Sequence, residues 1–494
     1  MTIIIGGGIS GLSAAYYALK NAKLSSVILL EASNRLGGWI RSRSSPSGAI
    51  FEQGPRIVKM DDDLDENHTL KLAMDLQLSD KLIRFGPLHP AVENELIYKN
   101  KKLYDRPPII LTSIANRYAL KHILKLRGLY RPIIKNIWMD LMVPKVAKED
   151  ENVYSFFERR LGKNFTDDVI SPLMCGIYAG DAHELSIKCI EPYSRVFEVE
   201  QEHGSIFKLM VKNFLAEQLL KRFSVNKNSE KDNADDGIAA RPTHETLAET
   251  LALRILYGGV WGLRGGLEQL PQALADDVKR RGAKIQTGKR CEKLIFKSDH
   301  VELSVNGELQ ECSRVISSLC AKDLAELLQE QHPGLSAELK AIPTVTVGLV
   351  NLEFQGNVLP QEAFSIFISP KENLPLLSVT FDSCINSESS TVLRVMMGGP
   401  WFEKYFGPNP SEEQLLSTAI KHTKSILQID EEPVAHNVAI LKDCIPQYVV
   451  GHNARVKRIY NYIFTHNIPL ALCGSSYQGL ELNDIIRLAK QAVT

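Results

Sequence analysis

The residues Gly6-Gly7-Gly8-Ile9-Ser10-Gly11 have the spacing G-x-G-x-x-G, which brings a main chain up against phosphate. Gly6 permits a tight turn, Gly8 lets the backbone approach a pyrophosphate, and Gly11 lets a helix pack closely on a strand. The flanking residues supply the context this chemistry needs. Ile3-Ile4-Ile5 reads as a short buried strand, and Ile9, Leu12, Tyr16 and Leu19 recur at helical steps. Ser26-Val27-Ile28-Leu29-Leu30 reads as a second strand that ends at Glu31, 20 residues past Gly11, where a carboxylate accepts hydrogen bonds from a ribose. The free N–H groups at the helix start offer partial positive charge to the phosphates. The predicted chemistry is dinucleotide binding.

A second glycine pair narrows the choice of dinucleotide. Arg35-Leu36-Gly37-Gly38-Trp39 begins four residues past Glu31 and allows a second backbone approach to phosphates, as flavin enzymes that hold FAD require. Gly54-Pro55-Arg56 follows a strand over Ala49-Ile50-Phe51-Glu52. With these segments in place, the sequence resembles the superfamily of FAD-dependent amine oxidases and protoporphyrinogen oxidases.

The elements that must carry these residues sit in an ordinary globular chain. Its 494 residues suggest about three domains at roughly 150 residues each. Lys plus Arg is 58 and Asp plus Glu is 58, so the net charge is zero, against the basic excess of a nucleic-acid binder. No apolar run reaches the ~18 residues of a spanning helix. None of the eight cysteines forms a CxxC pair, so disulfide scaffolds and structural zinc are not expected. No basic leader precedes Ile3, so no signal peptide is expected.

Residues 60 to 110 read as loops and short helices. Between 117 and 148, Arg117, Lys121, Lys125, Arg127, Arg131, Lys135, Lys145 and Lys148 face Asp140 alone, a net of +7. Ile123, Leu126, Tyr130, Ile134, Ile137 and Leu141 recur there at helical spacing, with Tyr118, Tyr130 and Trp138 interleaved. Such a basic amphipathic pair of helices either lies on anionic lipid or presents a solvated face. Asn226 to Asp236 is polar and aperiodic and reads as a surface loop. A further helix is expected after Trp261-Gly262-Leu263-Arg264-Gly265-Gly266. A strand over Ala283–Gln286, a hairpin at Asn306-Gly307 and a strand over Arg314–Ser317 close the returning half of a split flavin domain. Thr344 to Phe354 and Val392 to Met397 are β-rich, and Glu412 to Gln428 reads as a covering helix. Ile468 to Leu472 is the last strand. Asn483 or Asp484 is expected to cap the final helix.

The likeness narrows at Glu31 to Ser42, Phe157 to Gly162, Gly176 to Asp181, Leu263 to Glu268, Asp443-Cys444-Ile445-Pro446-Gln447-Tyr448 and Leu482-Asn483-Asp484. These look like the protoporphyrinogen oxidase family of the animal and fungal mitochondrial type. The resemblance implies an α/β fold: a split Rossmann-like FAD-binding domain (1–83, 255–321, 438–494), a mixed α+β substrate domain (84–99, 205–254, 322–437) and an all-helical membrane-binding domain (100–204). It implies oxygen-dependent oxidation of protoporphyrinogen IX to protoporphyrin IX in haem biosynthesis, by hydride transfer to one non-covalent FAD and release of hydrogen peroxide. A peripheral place on the mitochondrial inner membrane, a homodimer and contact with the next haem-pathway enzyme are further implications.

Carried over by position, FAD contacts fall on Gly6, Gly7, Gly8, Ile9, Ser10, Gly11, Glu31, Ala32, Arg35, Gly38, Trp39, Gly54, Pro55, Arg56 and Ile57. Others fall on Cys291, Ser475, Leu480, Glu481 and Leu482. The tetrapyrrole is expected against Phe364, Phe367 and Met396, with Gly176 near the ring and Arg56 in the floor. The residues by themselves also suit plain core packing for the two phenylalanines and the methionine. Two positions depart from the family. Glu95 stands where the family has an arginine for a propionate, and Cys175 stands where it has an arginine before the glycine. Lys99, Lys101 and Arg106 are nearby substitutes. No catalytic acid or base is assigned, because pyrrole nitrogens release protons through tautomerism and the cofactor carries the chemistry. Three readings compete: coproporphyrinogen III oxidation, a flavin amine oxidase (disfavoured by Ser476 at the position of its usual acid) and a flavin-binding haem-pathway protein without turnover.

Overall fold

A computed structural model describes residues 1–20, 26–60, 67–86, 89, 94–106, 131–208, 259–360, 363–384 and 390–494. The loop expected at Asn226 to Asp236 and residues 117 to 130 of the basic segment lie outside the described residues.

The run Ile3-Ile4-Ile5 has no polar alternation because its strand is covered on both faces, the usual condition of a parallel sheet. Thr2–Ile5 is the middle strand of five, all parallel, in the order Lys284–Gln286, Val27–Leu30, Thr2–Ile5, Arg314–Ser317, Leu470–Leu472. Ile4 points into a core shared with the helices Ile9–Lys20, Gln269–Arg280 and Leu482–Gln491. Ile3 and Ile5 point the other way, toward the helices Ala321–Leu328 and His452–Thr465 and a three-stranded meander that includes the Asn306-Gly307 turn. The strands of this sheet come from both ends and the middle of the chain.

The second sheet has seven strands, in the order Ala435–Pro446, Thr344–Gln355, Ser390–Gly399, Leu376–Phe381, Ser365–Ile368, Glu95–Lys99, Lys102–Asp105. Side chains alternate across it. Leu393, Val395, Met397, Val379, Phe381, Ile366 and Leu96 face a core under the helix Glu412–Leu427. Arg394, Met396, Thr380, Phe367 and Glu95 lie on the opposite face. A third, helical layer packs beside that face. Phe156, Phe157, Tyr193 and Phe197 fill its core. The fully buried Arg160 ties the helix Val153–Leu161 to Glu200 on Tyr193–His203 and to Asp140 on Arg131–Met142, the latter pair at 3.5 Å.

Several expected boundaries move. The strand Ala435–Pro446 pairs with Thr344–Gln355 along nearly its whole length, so the seven-stranded sheet runs past residue 438. Lys102–Asp105 pairs with Glu95–Lys99, so the sheet also runs past residue 99. Residues 60 to 110 hold three strands, Leu82–Phe85, Glu95–Lys99 and Lys102–Asp105, where loops and helices were expected. These strands are only four or five residues long, too short for a clear alternation. The last helix is not capped by Asn483 or Asp484. It starts two to three residues earlier, with Glu481 at the cap and no side-chain cap bond. Asn483 instead accepts the Thr69 N–H at 3.1 Å, which fastens this helix to His68–Asp75.

His452 opens its helix wholly buried. Its ring stacks on Tyr448, with centroids 4.0 Å apart, and Nε2 donates to the Tyr477 carbonyl at 2.8 Å. Nδ1 has no hydrogen-bond partner, and burial lowers the pKa to about 4. In the unfolded chain the same ring titrates near 6.5. Between these values the unfolded state binds more protons, so stability falls as pH drops from about 6.5 to about 4, by as much as about 3 kcal/mol from this one residue. We expect the melting temperature of His452→Gln, whose amide can still donate to Tyr477, to fall less steeply than wild type over that window. Parallel curves by calorimetry would show that His452 is not the group responsible.

Candidate functional site

One cavity of about 2510 Å³ runs between the two sheets, from the N-terminal glycine turn to the open face of the seven-stranded sheet. At one end the turn after Thr2–Ile5 meets the loop after Val27–Leu30. The Gly37 N–H donates to the Gly7 carbonyl at 2.9 Å. A Cβ on Gly8 would find only Gly38 Cα at 3.7 Å, so the two glycine segments present bare backbone to a shared gap. Gly11 differs: a Cβ there would collide with the Gly6 carbonyl and lie 2.7 Å from Ser318 Oγ.

Glu31 holds this cradle in shape. One carboxylate oxygen accepts the Gly7 N–H at 2.7 Å and the other accepts the Ser33 N–H at 2.7 Å. Each oxygen keeps further acceptor capacity. On the opposite wall Ser475, Leu480, Glu481 and Leu482 bring the start of the last helix to the cavity. Its first N–H groups have no intrahelical partner and carry partial positive charge. The Ser475 carbonyl is fixed by Tyr448 Oη at 2.6 Å. Arg56 is buried, pairs with Glu52 at 3.6 Å, and has an Nη1 without a hydrogen-bond partner beside the cavity. Two facing glycine turns and a helix start offer N–H donors to an anionic diphosphate, and Glu31 offers acceptors to a ribose, a set that fits a dinucleotide.

Most expected residues line this cavity: Gly6, Gly8, Ile9, Ser10, Glu31, Ala32, Gly38, Trp39, Gly54, Pro55, Arg56, Ile57, Cys291 and the four near the C-terminus. Phe364, Phe367, Met396 and Gly176 line the same cavity toward the second sheet. Three expected contacts do not line it. Gly7 is turned against Leu36 and Glu31, and Gly11 is packed on Gly6 and Ser318. Arg35 ties the second glycine loop from behind, donating to the Leu36 carbonyl at 2.7 Å and to the Gly38 carbonyl. These residues shape the cradle and leave its surface to their neighbours. Gly176 approaches Phe367 so closely that a Cβ would lie 3.0 Å from ring Cε1 and nearer still to Cδ1.

The two departures acquire a geometry. Glu95 lines the cavity, but its carboxylate is paired with Arg106, and burial raises its pKa. Arg106 is therefore already neutralised. Lys99 pairs with Asp168 at 2.8 Å, so it too is engaged. Lys101 lies in an exposed turn held on Glu372. Cys175 is buried in an apolar cluster, which raises its thiol pKa, and does not line the cavity. Ser476 accepts the Ala321 N–H at 3.0 Å, a local tie at a helix start. The reading of the residues missed Ser318, Ser365, Thr380 and Arg394, all on the cavity wall. The period of two in Val392 to Met397 already placed Arg394 on the same face as Met396.

Residues 9–458 match the flavin containing amine oxidoreductase family. The chain is 33% identical to human protoporphyrinogen oxidase, over 99% of this chain and 97% of that protein. It is 26% identical to coproporphyrinogen III oxidase of Bacillus subtilis, over 100% of this chain and 97% of the other. A solved structure from Exiguobacterium sp. 255-15 superposes with a TM-score of 0.75 at 22% identity, covering 100% of this chain and 97% of that one. The full-length likeness, with a family match that takes in most of the cavity wall, places this chain among the flavin-containing amine oxidoreductases, in the protoporphyrinogen oxidase family.

Proposed function

We propose that this protein oxidises protoporphyrinogen IX to protoporphyrin IX in haem biosynthesis, with FAD as cofactor and oxygen as final acceptor. The observation that carries this reading is the single cavity joining a dinucleotide cradle to an apolar wall of Phe364, Phe367 and Met396. When bound, FAD supplies the two-electron acceptor. The chain's residues then have three tasks. Gly6, Gly8 and Gly38 give backbone access to the diphosphate, with Glu31 on a ribose. The first N–H groups of Leu482–Gln491 stabilise negative charge nearby. Phe364, Phe367 and Met396 orient a flat apolar ring and exclude water. No side chain is assigned as acid or base.

In the same reading, the parallel sheet and its helices form the FAD domain, and the seven-stranded sheet forms the substrate domain. The helices between residues 131 and 204 belong to a membrane-binding layer. Trp138 and Met142 are each 65% exposed on Arg131–Met142. Among the described residues no helix is long and apolar enough to cross a membrane, so contact would be peripheral, on the mitochondrial inner membrane. Lys145 and Lys148 contribute less than their charge suggests. Lys145 donates to the Gln201 carbonyl and Lys148 pairs with Glu151 at 2.7 Å.

Three outcomes are expected. Gly8→Val should keep the apoprotein's melting temperature within a few degrees and lose FAD, since its side chain enters only the cradle. Gly11→Ala should instead lower stability by about 1–3 kcal/mol through overpacking. Equal stability loss in both, by calorimetry on apoprotein, would mean that the gap at Gly8 is not ligand space. Met396→Ala should raise the KM for protoporphyrinogen several-fold at unchanged FAD content. Release of FAD with an unaltered KM would place the substrate elsewhere. Trp138→Glu with Met142→Glu should weaken flotation with anionic vesicles, and wild-type binding should itself weaken with salt. Equal flotation of both proteins would reject this face as the membrane contact.

A further inference from the structure

The registers of the seven-stranded sheet align two transverse rows on the cavity face. One row is Leu349, Met396, Ser378 and Phe367, paired in turn across four strands. The neighbouring row is Asn351, Arg394, Thr380, Ser365 and Glu95, paired across five. The first row is largely apolar. The second carries a cation near one end and a carboxylate at the other, with two hydroxyls between. Arg394, Thr380, Ser365 and Glu95 all line the cavity. At about 4.8 Å per strand, Arg394 and Glu95 lie roughly 14 Å apart, a distance on the scale of a substituted tetrapyrrole.

The two ends are in different electrostatic states. Glu95 is closed by its ion pair with Arg106. Arg394 is less committed. Its side chain is 15% exposed and donates one hydrogen bond among the described residues, from Nη1 to the Gly54 carbonyl. Its acidic neighbour, Asp382, stands 3.8 Å from Nη2, and neither Asp382 oxygen has a hydrogen-bond partner. A guanidinium has five donors, so capacity remains. Between the two ends, Ser365 is 3% exposed and its hydroxyl has no partner. A buried hydroxyl left unsatisfied on a cavity wall is an acceptor or donor awaiting a ligand.

We infer that Arg394, with Thr380 and Ser365 beside it, binds the propionate carboxylates of the substrate, and that the closed Glu95–Arg106 pair at the far end of the row offers them no partner. The inference rests on the proposed reading that the substrate is a porphyrinogen, and it names how this chain recognises the acid edge once Glu95 and Cys175 have removed the expected arginines. The ring lies on the apolar row and its carboxylate edge on the polar row. Along that row only the Arg394 end has donors left for a carboxylate.

The test compares a diacid with its neutral ester. Binding of protoporphyrin IX and of its dimethyl ester is measured by fluorescence in one detergent, alongside turnover of the corresponding porphyrinogens. Wild type should prefer the diacid by about tenfold or more, the range of hydrogen bonds to charged groups. Arg394→Gln combined with Asp382→Asn removes the ion pair as a unit and leaves no buried lone carboxylate. That variant should lose the preference through weaker diacid binding, with the ester within about twofold of wild type. Ser365→Ala, a minimal change, should lose part of it. Glu95→Gln releases Arg106 from its pair and should strengthen binding of the tetra-acid coproporphyrin III several-fold. If Arg394→Gln/Asp382→Asn weakens diacid and ester equally, or wild type shows no preference, the assignment is overturned. Should the double variant fail to fold, an undiminished preference in Ser365→Ala overturns it instead. Absence of turnover with an intact binding preference would sink the proposed reaction and leave the carboxylate row standing.

Discussion

The cavity depends on one buried carboxylate. Glu52 is fully buried, at the end of the strand Ile50–Glu52, between the two sheets. Its side chain accepts the Leu267 N–H at 2.7 Å and Ser42 Oγ at 2.8 Å, and it pairs with Arg56. Its backbone carbonyl accepts Asn351 Nδ2, from the second sheet, at 3.1 Å. Burial pushes its pKa up, and these hydrogen bonds and Arg56 oppose the shift. Removing one partner of such a buried pair typically costs about 3–5 kcal/mol, because the remaining charge stays desolvated. The two walls of the site are therefore held in register by polar groups with few alternatives.

Around Glu52 the same joint is repeated. Gln53 reaches Asn437 at 2.6 Å, Ser47 reaches Glu353, and Arg394 holds the Gly54 carbonyl. Each bond runs between the segment of residues 47–54 and the seven-stranded sheet, across the cavity's two walls. A flat substrate and a flat cofactor must be stacked at a fixed distance for electrons to pass. A joint made of directional, buried hydrogen bonds fixes that distance better than apolar contact, which tolerates sliding. The helical layer has its own version in Arg160, with Asp140 and Glu200.

In the proposed reaction the site is not asked to supply a strong base. The wall is built from backbone amides, hydroxyls and paired ions, and the cofactor supplies the redox chemistry. In the proposed reading the protein contributes placement: a helix start near developing negative charge, an apolar row under the ring, and a polar row at its edge.

Local sequence determined the cradle. The glycine spacing, the Ile3–Ile5 run and Glu31 each follow from near-neighbour geometry, so strand, turn, helix and acid were legible together, as was the resemblance they carry. β-rich composition marked the long strands of the second sheet, and Asn306-Gly307 marked the hairpin of the three-stranded meander. Tertiary structure decided the rest. Gly7, Gly11 and Arg35 belong to the motif but stand behind the surface, because only packing settles which side of a turn faces the gap. Glu95, Ser365, Thr380 and Arg394 are scattered over some 300 residues and become neighbours through strand register alone. The neutralisation of Glu95 by Arg106 is equally invisible in sequence, since a charge's effect depends on what lies opposite it across a strand and on how little water is left there.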